Sequence, residues 1–241
     1  ERAIHGNGAW LRAVEKMPSV LTLNPDEAQE DIAIRDLFIE GGWNAEKGLD
    51  LPACNGSHFE RITVQGVNGN TIHCRYTDGG GTFQNNTFVA CHLERGSNGH
   101  PGTFRATGDL AGDGSANANT LVECKIGVAG QGNACIYLEG ECVDWTIIGG
   151  DFHTLDIAGD QYGLFADATA DNGNVSDLKL VGSHIEVQDG TAIAGDGIPL
   201  HRWSLIPGYM HATTNFDRSA NAYHYLYGGD MEISGTLTEN A

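Results

Sequence analysis

The chain has 241 residues, 40% of them hydrophobic, with 34 glycines, 6 prolines and a formal net charge of −19. That charge argues against nucleic acid and anionic membrane surfaces as partners, because both are held by lysine and arginine neutralising phosphate. No run approaches the roughly 18 apolar residues of a membrane span, so membrane insertion is not expected; glycine at about twice its usual frequency without extra proline points to many tight turns rather than a low-complexity linker.

Along the chain, Ile4-x-Gly6-x-Gly8 reads as a strand entering a turn, and Glu1 in place of an initiator Met suggests a piece of a longer protein. Trp10 to Met17 could form a turn or two of helix, but Pro18 and the apolar Val20, Leu21 and Leu23 favour strand. Asn24 to Asp31 reads as a loop. From there a phrase of the form apolar-x-x-(apolar or small)-x-apolar returns seven times. Its copies are Ile34-Leu37-Ile39, Val64-Val67-Gly69, Phe88-Cys91-Leu93, Leu121-Cys124-Ile126, Ile147-Gly150-Phe152, Leu180-Ser183-Ile185 and Leu226-Gly229-Met231. They start 30, 24, 33, 26, 33 and 46 residues apart, the period of a solenoid in which each repeat is one turn. A corner falls inside each copy, at Asp36, Gly66, Ala90, Glu123, Gly149, Gly182 and Gly228. Glycine at four of these seven predicts a bend that side chains hinder.

About ten residues after most phrases comes a shorter alternation: Leu49-x-Leu51, Ile72-x-Cys74, Phe104-x-Ala106, Ile136-x-Leu138, Leu164-x-Ala166 and Ile193-x-Gly195. Together these elements predict one all-β domain over residues 1–241, a parallel coil of about seven or eight rungs in which each short strand pairs with its equivalent one turn away. The interval from Gly195 to Tyr223 holds Pro199, Trp203, Pro207, Tyr209 and Met210 with little alternation, which predicts a long side loop over about 196–222. Gly228-Gly229-Asp230-Met231 then repeats Gly149-Gly150-Asp151-Phe152 and restarts the coil. Of the six cysteines, Cys91 and Cys124 occupy one slot in consecutive phrases and Cys74 sits at an alternating apolar position. Buried, reduced thiols and folding in a reducing compartment are therefore expected. Sequons at Asn55, Asn85 and Asn174 are as frequent as chance allows in turns of this composition.

The runs Ile32-Ala-Ile-Arg-Asp-Leu-Phe-Ile39 with its following Glu-Gly-Gly, Phe59-Glu-Arg-Ile-Thr-Val64, and Val175-Ser-Asp-Leu-Lys-Leu180 leading to Gly-Ser-His-Ile185 carry a resemblance that spans nearly the whole chain. It resembles the right-handed parallel β-helix of the pectate-lyase-like superfamily, and looks most like a bacteriophage tailspike or polysaccharide depolymerase. The resemblance implies a polysaccharide partner, a homotrimer, no cofactor, and a place on a virion tail after folding in a host cytoplasm, or alternatively the extracellular space. The paired Asp and Gly-His-Gly of polygalacturonase-like hydrolases and the Asp-Pro-His of alginate epimerases do not occur, which disfavours both assignments.

In such a coil, residues at one register form a column with neighbours about 4.8 Å apart. Outward positions of the phrase give Phe38, Asn68, His92, Lys125, Asp151, His184, Asp230 and, two residues on, Glu40, Asn70, Glu94, Gly127, His153, Glu186, Glu232. The shorter alternation gives Asp50, His73, Arg105, Tyr137, Phe165 and Pro52, Arg75, Thr107, Glu139, Asp167, with Asp196 possible in the last column. On this second face Glu139 and Asp167 on adjacent rungs are expected about 5 to 6 Å apart, near the spacing of a retaining glycosidase pair. They are the expected acid and base or nucleophile, with Arg75, Arg105, Tyr137 and Phe165 as sugar contacts, unless Tyr137 and Phe165 pack against another subunit. On the first face a polysaccharide lyase would use Lys125 or His184 as base beside Asp151 and Glu186. A non-catalytic carbohydrate-binding or structural virion module is the third expectation. No metal is expected: no short ligand spacing joins His92, His153 and His184, and Thr120 stands where the Asp109–Asn119 run would need a bidentate Glu for Ca²⁺. No phosphate-cradling loop occurs either.

Overall fold

The computed structural model describes residues 2–23, 29–76, 81–94, 101–108, 115–128, 134–154, 161–169, 173–197, 200–201, 203–206, 208–218, 224–226 and 236–239. Every named element among them is a strand, and no helix is long and apolar enough to cross a membrane. The chain is a parallel β-solenoid of about six turns, slightly fewer than the seven or eight rungs expected, with further paired strands at each end.

Three long ladders run through it. The first aligns Ile4, Ile34, Phe59, Phe88, Leu121, Ile147, Leu180 and Leu205. The second aligns Leu11, Ile39, Val64, Leu93, Ile126, Phe152, Ile185 and Met210. The third aligns Leu21, Leu49, Ile72, Phe104, Ile136, Leu164 and Ile193. From Ile34 onward the side chains of these three rows are buried. Alternation then forces the residues between them outward, so each ladder presents columns of side chains to solvent.

The corner between the first and second ladders turns on a left-handed residue, Asp36 (φ 55°), Arg61 (50°), Ala90 (51°), Glu123 (51°), Gly149 (63°) or Gly182 (72°), and at Gly149 the following Gly150 (88°) is left-handed as well. Four are not glycine, although this conformation costs an L-residue about 1 to 2 kcal/mol. Stacked hydrogen bonds sustain it, for instance from Ala90 N to Val122 O at 2.9 Å and from Glu123 N to Ile148 O at 2.8 Å.

Two expectations are corrected. The second phrase is Phe59-Ile62-Val64 with its corner at Arg61, because Val64 pairs with Ile39 and Leu93 as a third member, not a first; Gly66 belongs to the turn that follows. Most of the stretch expected as a side loop is coil instead. Trp203–Ile206 pairs with Lys179–Val181, and Tyr209–Arg218 pairs with His184–Gly197. Leu205-Gly208-Met210 is thus a further copy of the phrase. Its aromatic residue is there because Trp203 fills the interior, 1% exposed, and donates from Nε1 to Val175 O at 3.1 Å. Trp10 lies in the strand Arg2–Arg12, so no helix opens the chain. Residues 228–232, where the coil was expected to restart, lie outside the described residues.

The interior is aromatic in its middle turns, with Phe59 and Phe88 stacked at 4.7 Å and Phe104 edge-on to both Phe88 and Trp145. Beside them runs a buried polar ladder. Asn86 Oδ1 accepts from Ser57 N at 3.0 Å, its Nδ2 donates to Cys54 O at 2.7 Å and to Asn119 Oδ1 at 3.0 Å, and Asn119 Nδ2 donates to Phe83 O at 3.2 Å. All six cysteines are free and buried. Burial pushes the Cys54 thiol up to about 11, so it is protonated at neutral pH.

Candidate functional site

The third-ladder face has the register expected from the sequence. Asp50, His73, Arg105, Tyr137 and Phe165 follow one another, as do Pro52, Arg75, Thr107, Glu139, Asp167 and Asp196. The side chains, however, are engaged with each other. Arg75 forks onto Asp50 at 3.1 and 3.2 Å, with Lys47 Nζ at 3.3 Å from the same carboxylate. Arg105 donates to Glu139 Oε2 at 2.5 and 3.1 Å, and the Thr107 hydroxyl reaches that oxygen at 3.3 Å. Tyr137 donates to Asp167 Oδ2 at 2.6 Å, while Asp167 Oδ1 accepts from Thr169 N at 2.9 Å and Thr169 Oγ1 at 2.5 Å. Burial alone would raise the Asp167 carboxyl, but Thr169, Tyr137 and Arg105 hold it below the ordinary range. Burial and then Asp167 push the Tyr137 phenol up. The Tyr137 and Phe165 rings stack on one another at 5.5 Å and 7°, so each covers one face of the other. A proton donor needs an accessible, protonated oxygen, and Asp167 does not offer one.

The second-ladder face is built differently. Its outward column runs Trp10, Phe38, Thr63, His92, Lys125, Asp151, His184, Tyr209, and the next runs Arg12, Glu40, Gln65, Glu94, Gly127, His153, Glu186, His211. Thr63 and Gln65 take the places expected for Asn68 and Asn70, a consequence of the corrected second phrase, and Tyr209 and His211 follow His184 and Glu186. Asp230 and Glu232 lie outside the described residues. Asp151 stands between two imidazoles: His184 Nδ1 is 3.2 Å from its Oδ1 and His153 Nδ1 is 3.8 Å from its Oδ2. With Nδ1 of His184 engaged by Asp151, Nε2 is the nitrogen left for proton transfer. The Tyr209 ring lies 4.7 Å from that imidazole. Two turns from Asp151, beyond Lys125, His92 Nε2 meets Glu94 Oε1 at 2.6 Å. Burial would raise Glu94, but His92, Lys125 and His153 hold it down. Lys125 is exposed and makes no ion pair with a described residue.

Gly127 shapes this cluster. A Cβ there would sit 2.8 Å from His153 Nε2, so the missing side chain is the space the His153 ring occupies. The side chains of His184, His92 and Asp151 are 45%, 41% and 40% exposed, open enough to meet a polymer lying on the sheet. Among the described residues, no group of three or more His, Cys, Asp or Glu side chains could hold a metal ion.

Comparison with family models, characterised proteins and solved structures finds no match. Chemistry therefore has to be read from the faces themselves. One feature of them escaped the sequence reading. The outward column of the first ladder is apolar over five turns, Val89, Val122, Ile148, Val181 and Ile206, beside Thr87, Thr120 and Thr146. Ile148 and Val181 are among the exposed large hydrophobic residues. The signal was present as Thr-x-Val or Thr-x-Ile at the start of three phrases.

Proposed function

We propose that this protein binds a polysaccharide along its second-ladder face and cleaves it there by acid–base chemistry, as a lyase acting on acidic sugars. The observation that carries this reading is the Asp151–His184 pair on an open face beside Lys125, which is exposed and in no ion pair with a described residue. A uronate carboxylate placed against Lys125 has its charge neutralised, which acidifies the neighbouring C–H. His184 Nε2 takes that proton, Asp151 stabilises the resulting imidazolium, the electron pair of the broken C–H bond forms a C=C bond, and the glycosidic oxygen departs with a proton. Glu186 and His153 flank the pair and are placed to carry that proton. On this reading Glu139, Asp167, Arg75, Arg105, Tyr137 and Phe165 support the neighbouring face and contact sugar without reacting.

The test is incubation with a panel of uronate-containing capsular and plant polysaccharides, following the ultraviolet absorbance of the unsaturated product together with viscosity. Absorbance that rises as viscosity falls supports elimination. Reducing ends without absorbance assign hydrolysis in its place, and neither signal leaves a binding module.

A non-catalytic virion or structural module is the second reading, supported by how completely the third-ladder carboxylates are paired internally. The homotrimer belongs to both readings, and the apolar first-ladder column offers it a wider uncharged face than Tyr137 and Phe165 do. A virion tail or the extracellular space is the corresponding location.

A further inference from the structure

The first turn departs from the others at its corner. Between the pairs His5–Arg35 and Ala9–Leu37 it carries three residues, Gly6, Asn7 and Gly8, opposite the single Asp36. A Cβ on Gly6 would sit 2.4 Å from Asp36 O, so the detour is pressed against the next turn at its start, whereas Gly8 (φ 79°) has open space around it. The result is an open groove of about 250 Å³, lined by Gly8, Asp36, Leu37, Phe38, Arg61 and Thr63.

Beside it stands Trp10, 61% exposed, with its indole edge-on to Phe38 at 5.6 Å and 88°. Trp10 and Phe38 head the same outward column that continues through His92, Lys125 and Asp151 to His184. At about 4.8 Å per rung, Trp10 lies roughly 19 Å from Lys125, within the reach of one extended glycan chain.

We propose that this groove is a binding subsite for an uncharged sugar ring, which rests its C–H face on Trp10 and Phe38 and donates hydroxyls to Asp36. The inference rests on the reading of the second-ladder face as a polysaccharide site. An exposed aromatic with a few fixed polar groups is the composition that binds a ring with one apolar and one hydroxylated aspect. Asp36 is held in place by Arg61, at 2.7 Å from Nε to Oδ1 and 3.0 Å from Nη2 to Oδ2. Its remaining lone pairs can accept from hydroxyls. The charges nearby are matched: Arg12 pairs with Glu40 at 3.5 Å, Arg35 with Glu60 at 3.4 Å, and Arg61 with Asp36 and Glu60. Among the described residues no lysine or arginine at the groove lacks an acidic partner, in contrast to Lys125 on the same column, so a neutral sugar suits this end and an acidic one the other. The substrate this describes is a heteropolysaccharide carrying both kinds of sugar.

The test is a fluorescence titration of the His184→Gln protein, chosen so that the probe is not consumed, with hexamers of β-1,4-glucose, β-1,4-mannose and N-acetylglucosamine, and with hexagalacturonate as the acidic probe. Trp145 and Trp203 are buried, and Trp43→Phe removes the other exposed indole from the signal. At least one uncharged hexamer is expected to give a saturable change, weakened about tenfold or more by Trp10→Ala and also weakened by Asp36→Asn. Hexagalacturonate is expected to bind equally with and without Trp10. No saturable response to any uncharged hexamer, or one indifferent to Trp10→Ala, overturns the subsite. So does a sugar-independent self-association that Trp10→Ala abolishes, which would make this surface a contact between copies. Trp10-dependent binding, with no cleavage of any polymer by the parent protein carrying His184, overturns the reaction at His184 and leaves the subsite standing.

Discussion

Replacing Asn86 by alanine removes the centre of the buried polar ladder. Asn86 is 0% exposed and makes three side-chain hydrogen bonds, to Ser57 N, Cys54 O and Asn119 Oδ1. Two of the three partners keep another contact: Cys54 O still accepts from Gln84 N at 3.2 Å, and Asn119 Oδ1 still accepts from Asn86 N at 3.0 Å. The Ser57 amide loses its acceptor, and a buried orphan donor costs about 1 to 3 kcal/mol, to which two lost hydrogen bonds add about 1 kcal/mol each. The expected loss is about 4 kcal/mol, a large part of the roughly 5 to 15 kcal/mol that stabilises a domain. Urea unfolding followed by circular dichroism measures it as a lowered midpoint at unchanged slope. Asn68→Ala serves as the control: Asn68 is exposed and donates to Trp43 O, and its loss should cost about 0.5 kcal/mol. A loss below about 1 kcal/mol for Asn86→Ala would refute the ladder's stabilising role.

His73 sets an expected pH dependence. Burial, reinforced by Lys47 and Arg105 and opposed by Asp50, pushes its imidazole down to about 3. Below about 6.5 the unfolded chain takes up a proton that the folded chain refuses, so stability falls as pH drops from 6.5 towards 3. Between pH 7 and pH 5 the loss is about 2 kcal/mol, and His73→Gln should remove that component; equal pH slopes for both proteins would contradict it. Gly182→Ala should cost about 1 kcal/mol, because φ is 72° but nothing lies near the added Cβ. Gly150→Ala should cost clearly more, since its Cβ would fall 2.5 Å from Cys124 O; thermal midpoints in the reverse order would refute the corner geometry. Val122→Lys combined with Ile148→Lys should abolish the proposed trimer in sedimentation velocity, and a sedimentation coefficient unchanged from the parent protein would contradict assembly through this face.

The inward half of this fold is legible because a thin solenoid needs an apolar side chain at each inward slot, and Ile34, Phe88, Leu121 and Leu180 obey that demand at recognisable intervals. Register was misread at Val64 because Val64-Val67 and Phe59-Ile62-Val64 both satisfy the phrase, and only pairing with Ile39 and Leu93 decides between them. The turn at Leu205-Gly208-Met210 was hidden by Trp203 and Pro207, residue types that ordinarily mark loops. Asn86 and Asn119 sit just before Thr87-Phe88 and Thr120-Leu121, yet composition alone does not say that an asparagine points inward. The polar columns of the third ladder followed from stacking, since Glu139 and Asp167 are one rung apart. That Arg105 and Tyr137 occupy those carboxylates depends on the reach of long side chains, which no one-letter pattern encodes.

The most direct measurement compares rates of unsaturated-product formation on a cleaved polysaccharide for His184→Gln and for the double variant Glu139→Gln with Asp167→Asn. Loss of at least about a hundredfold in His184→Gln, with the double variant within a few fold of the parent, is expected if proton transfer occurs on the second ladder. Activity retained in His184→Gln and lost in the double variant would move the chemistry to the third ladder and contradict the assignment.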